Sequence, residues 1–129
     1  MTWDGAFPER VSALVEARLD SIEMIQVLMV LHGEPTRSWS AEEVASATGL
    51  DPVSASGHLI VLRQRGFLLV AMAGDASYTY GAQGELSDTV DALMQCYRTR
   101  PLELANLVAA RPRNKLRLFA DAFRVRRDK

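Results

Sequence analysis

The stretch Trp39 to Pro52 constrains this chain more than any other, because it punctuates two helices within a few residues. Ser40 is followed three residues later by Glu43. That spacing predicts a capping box, in which the hydroxyl accepts from the Glu43 amide and the carboxylate reaches back to the Ser40 amide. Trp39 and Val44 flank the cap at the positions of a hydrophobic staple. A helix is therefore expected from Ala41. Gly49 ends it, since glycine takes the left-handed conformation after a helix without steric cost. Asp51-Pro52 opens the next helix, with the carboxylate as N-cap and proline at the first helical position, where a missing N–H is harmless.

Three residues, Gly49-Leu50-Asp51, thus separate two helices, the connection length of a helix-turn-helix. The second helix is predicted to run to about Gln64 and to stop near Gly66. Phe67 to Val70 then reads as a strand, Ala73 to Ala76 as a turn, and Tyr78 to Tyr80 as the return strand.

The segment Ser56-Gly57-His58-Leu59-Ile60-Val61-Leu62-Arg63-Gln64-Arg65-Gly66-Phe67-Leu68 resembles the recognition-helix region of the winged-helix repressors of the ArsR and MarR groups. The resemblance spans about Ser21 to Gly81. It implies a mainly α fold with a small β-hairpin, a winged helix-turn-helix carrying extra N- and C-terminal helices. It also implies a bacterial transcriptional regulator that is not an enzyme. In such proteins the helices outside the reading unit form the dimer. By that resemblance one domain spans 1–129, with 21–81 as its winged-helix core. The flanks 8–19 and 86–127 are candidate surfaces for a second copy or a partner, or else they close the core of a single copy.

Two kinds of ligand follow for the second helix. If it enters the major groove of double-stranded DNA, Ser54, Ser56, His58 and Gln64 supply polar contacts, while Arg63 and Arg65 meet phosphates. The chain departs from the resembled pattern at Gly57, where Arg or Lys is usual. With Ala55, Leu59 and Leu62 as the buried stripe, the opposite face holds Val53, Gly57, Ile60, Val61 and Gln64, which is neutral and partly apolar. The predicted hairpin turn also lacks Lys and Arg. A regulatory protein docking on Val53, Ile60 and Val61 is the alternative, because exposed apolar patches mark interaction sites.

Charge is uneven along the chain. Residues 111–129 hold eight Lys/Arg and two acids, which leaves −7 on residues 1–110 against a total of −1. Arg113, Arg117, Arg124 and Arg127 make this basic tail a candidate phosphate contact, or a clamp for an acidic partner.

The remaining segments read as helices. Val11, Leu14, Val15 and Leu19 recur at helical spacing over 8–19, with Pro8 at the first position. Asp20 or Ser21 caps a helix through His32 that is apolar almost all round, the pattern of a helix buried on several sides. Leu86 to Arg100, Pro101 to Ala110 and Asn114 to Arg127 follow, separated by prolines. His32 lies where a cation favours a helix C-terminus.

Composition fits this reading. A chain 48% hydrophobic and 24% charged buries a core rather than staying disordered. Its two histidines and single Cys96 offer no metal-ligand spacing and no nucleophile with a base, so neither metal, cofactor nor catalysis is expected. The start, Met1-Thr2-Trp3-Asp4, has no leader pattern. The longest apolar-rich run, Met24 to Leu31, is too short to span a bilayer. A cytoplasmic protein is expected.

Overall fold

The computed structural model describes residues 7–110. Within them the order is α1 (Glu9–Arg18), α2 (Ile22–Gly33), α3 (Ala41–Thr48), α4 (Pro52–Gln64), β1 (Leu68–Ala73), β2 (Asp75–Tyr80), α5 (Gly84–Thr99) and α6 (Pro101–Ala109). The helix expected over 114–127 lies outside the described residues.

α2 is the central element. Met24, Ile25, Val27, Leu28 and Leu31 are buried, and Ile22, Met29 and Val30 pack against the same core. Each fully buried aliphatic side chain of this size contributes about 1.5–3 kcal/mol relative to exposure. α2 packs on α3, α4 and β2, while α1 packs on α5 and α6. Ser21 caps α2 by accepting from the Met24 amide at 3.1 Å.

The helix-turn-helix forms by the local chemistry read from the sequence. The Glu43 amide donates to Ser40 Oγ at 3.1 Å and the Ser40 amide to Glu43 Oε1 at 2.9 Å. Gly49 sits at φ 79° and its N–H donates to the Ala45 carbonyl at 2.8 Å. Thr48 Oγ1 adds a bond to the Val44 carbonyl at 2.8 Å. The Asp51 carboxylate accepts from the Val53 and Ser54 amides at 3.0 and 3.2 Å. Ala55, Leu59 and Leu62 are fully buried against the core. α4 ends in a Schellman motif: the Phe67 amide donates to the Leu62 carbonyl at 3.0 Å and the Gly66 amide to the Arg63 carbonyl at 3.2 Å. Gly66, at φ 93°, supplies the left-handed residue this needs.

The hairpin is longer than its sequence pattern suggested. β1 and β2 pair antiparallel from Leu68↔Tyr80 to Ala73↔Asp75, and Gly74 turns at φ 88°. The alternation that marks a strand is weak here because Ala71 to Ala73 face solvent on both sides. Trp39 extends the hairpin through an isolated bridge to Tyr78, with both N–H···O distances at 2.8 Å. The residue before the capping box is thereby anchored to β2. Two boundaries shift slightly: Pro8 is the N-cap of α1 rather than its first residue, and α5 begins at Gly84.

The two faces of α4 should respond differently to truncation. Leu59→Ala is expected to lower unfolding stability by about 2–5 kcal/mol, whereas Val53→Ala stays within about 0.5 kcal/mol of the parent. Paired urea melts check this.

Candidate macromolecular interface on α4

The outward face of α4 is open along most of its length. Val53 is 79% exposed and Ile60 45%. Ser54, Gly57, Arg63 and Gln64 are exposed, and Ser56 and His58 are half-buried. Between this face and the start of α3 runs a groove of about 480 Å³, lined by Glu42, Val53, Ser56, Gly57 and Ile60 among others. A Cβ added at Gly57 meets nothing within 4 Å. The glycine is therefore not required by packing, and a long side chain fits there.

Two of the candidate contact residues are placed otherwise than the sequence suggested. Val61 is half-buried and packs against the core, so the outward apolar patch reduces to Val53 and Ile60. At about 100° per residue Val61 lies at the margin of the buried stripe rather than opposite it. Arg65 is turned back into the molecule. Its Nη1 donates to the Arg18 carbonyl at 2.7 Å and to Asp20 Oδ1 at 3.0 Å, and its side chain is only 25% exposed. The α1–α2 corner competes successfully for that guanidinium. Arg63 remains exposed and forms no ion pair among the described residues. The basic-tail residues Arg113, Arg117, Arg124 and Arg127 lie outside the described residues.

The surroundings are acidic. Glu42 and Glu43 open α3, Asp51 caps α4, and Asp75 sits beside the hairpin turn. Among the described residues, Arg37 is a further cation, close to Glu43. It stacks 3.5 Å over the Trp39 ring and approaches Glu34 and Glu43 at 3.7 and 3.6 Å. On the hairpin, Leu69 is 61% and Met72 72% exposed.

The chain is similar to the homodimeric winged helix-turn-helix DNA-binding domain of a possible ArsR-family transcriptional regulator from Mycobacterium bovis. The likeness covers 78% of this chain and 94% of that one, with 25% identity and a TM-score of 0.51. The chain folds as a winged helix-turn-helix. A second solved structure, MepR, a transcription regulator of the Staphylococcus aureus multidrug efflux pump MepA, matches 92% of this chain and 89% of its own, at 11% identity and a TM-score of 0.49. No protein-family model matches the sequence. No curated protein matches it either.

In this winged helix-turn-helix, α3 and α4 form the helix pair and β1–β2 the wing. Behind them, His32 at the end of α2 contacts Asp91 of α5 through Nε2 and Oδ1 at 2.7 Å. It also meets the Tyr80 ring edge-on at 5.3 Å. Tyr80 reaches Ser87 at 3.2 Å. Burial pushes the Tyr80 phenol up, the Ser87 bond opposes this, and the Asp91 charge adds to the rise. These contacts tie α2, the wing and α5 together. Burial also pushes the Cys96 thiol up, against the opposing pull of Arg100. Among the described residues no group of three His, Cys, Asp or Glu side chains is arranged to hold a metal ion. Nor is any described helix long and apolar enough to cross a membrane.

The cap beside the groove carries a pH signature. The Ser40 backbone bond holds the Glu43 carboxyl below its ordinary value; desolvation opposes this, and the Arg37 charge and the Ser40 hydroxyl assist it. A lowered folded value means that the cap's contribution is complete above the ordinary carboxylate range and is lost as pH falls through the lowered value. Titration of the Ser40 amide resonance should therefore show α3 fraying only at acidic pH. Glu43→Gln, whose amide oxygen still accepts the reach-back bond, should flatten that titration.

Proposed function

We propose that this chain is a non-enzymatic transcriptional regulator that presents α4 to duplex DNA and works as a homodimer. The observation that carries the reading is the helix-turn-helix itself. It buries Ala55, Leu59 and Leu62 and leaves the N-terminal half of α4 open to solvent. The likeness to a homodimeric DNA-binding domain supports it. Ser54, Ser56, His58 and Gln64 contact base edges, with Gly57 allowing close approach. Arg63 and the tail residues Arg113, Arg117, Arg124 and Arg127 meet phosphates, since backbone contact supplies most of such affinity. Residues 21–81 form the reading unit. The flanks 8–19 and 86–127 supply the surface for the second copy; among the described residues, Leu102 is 77% exposed there. The protein acts in the cytoplasm, without cofactor.

A second reading is favoured by one specific observation. The open face of α4 is apolar at Val53 and Ile60, is bordered by Glu42, Glu43 and Asp51, and has lost Arg65 to an internal contact. A winged-helix adaptor that binds a regulatory protein would use the same face, with the apolar residues as anchors.

Titration of the full chain into duplex DNA at several salt concentrations separates the two. The DNA reading expects affinity to fall by orders of magnitude between about 50 and 200 mM salt. It expects Arg63→Ala to weaken binding to all sequences alike and to reduce the salt slope by about one. Absence of binding at the lowest salt would leave the adaptor reading. In that case Val53→Asp should abolish capture of the partner.

A further inference from the structure

We propose that Arg65, with Arg18 and Asp20, is a positioning residue that fixes the outward face of α4 relative to α1. The inference does not depend on which macromolecule α4 meets. Arg18 is the last residue of α1 and Arg65 the C-cap of α4. Each arginine caps the other's helix end. Arg18 Nη1 donates to the Arg65 carbonyl at 3.2 Å, and Arg65 Nη1 donates to the Arg18 carbonyl at 2.7 Å. Asp20, at 3.0 Å from Arg65 Nη1, holds one of the two cations in place.

Two guanidinium groups side by side would ordinarily repel. Here both sit at helix C-termini, where unpaired carbonyls and the negative end of the dipole favour positive charge. The Asp20 carboxylate offsets much of the remaining excess. Arg65 and Asp20 side chains are 25% and 19% exposed, so the pair is shielded from much of the solvent screening that weakens surface pairs. The bonds are charge-assisted and directional, unlike apolar packing, which tolerates sliding.

The clasp also lies at a junction of layers. α1 packs on α5 and α6, whereas α4 packs on α2, α3 and β1. The Arg18–Arg65–Asp20 contact joins the end of the first group to the end of the second. A displacement of α1, such as contact with another molecule would cause, therefore reaches α4 at its C-terminal end. Both bonds use the Nη1 hydrogens of Arg65, so that nitrogen cannot keep them and also donate to an external phosphate.

Hydrogen exchange and residual dipolar couplings on the full chain test this. Arg65→Gln and Asp20→Asn should each raise exchange of amides 63–67 and 16–20 by about tenfold or more, with amides in the middle of α2 and α5 unchanged, as for a local opening. The α4–α1 orientation read from the couplings should shift in both variants. The double variant should go no further than the stronger single, because both changes break one shared interaction. Arg18→Gln removes only the bond to the α4 end and should give a smaller change of the same pattern. It keeps the test open if the other variants fail to fold. Unchanged α4 and α1 in these variants would overturn the proposal. So would a uniform rise in exchange across every element, which marks a general stabiliser rather than a positioning contact.

Discussion

Burial of α2 is the constraint on which the rest depends. A helix apolar on nearly every side has to be covered on nearly every side. α3, α4 and β2 cover it directly, and Val27, Leu28 and Leu31 become inaccessible as a result. That demand fixes which stripe of α4 turns inward. Once Ala55, Leu59 and Leu62 are committed to the core, the other side of α4 is left to solvent. The exposed face is thus a consequence of packing, before any partner is considered.

Local chemistry sets where the elements begin and end. The capping box at Ser40 and Glu43, the left-handed Gly49, the Asp51 cap and the Schellman turn at Gly66 each act within six residues. This is why α3 and α4 were legible from sequence to the residue. Contacts between distant residues were not. The Trp39–Tyr78 bridge and the Arg65–Asp20 pair join segments about forty residues apart, and no spacing rule announces them. For Arg65 in particular the sequence shows only the charge. Its direction depended on where the α1–α2 corner came to lie. Val61 lies at the margin of the buried stripe on a helical wheel, and in the fold it packs against the core.

The candidate interface shows a tension between fold and charge. Winged helices that read DNA rely on cations near the backbone. Among the described residues, the α4 face has Arg63 exposed and acids at its borders. The cations of this chain are concentrated beyond residue 110. Gly57 sharpens the point, because open space surrounds it and a basic side chain would fit without clash. Its neutrality is not imposed by sterics.

The most direct test of this account is chemical-shift mapping of the labelled full chain during titration with duplex DNA. Perturbations are expected to concentrate at the open side of α4, at Val53, Ser54, Gly57 and Ile60, and in the basic tail. The amides of α2 should stay in place. Perturbations confined to α5 and α6, or none on α4, would contradict it.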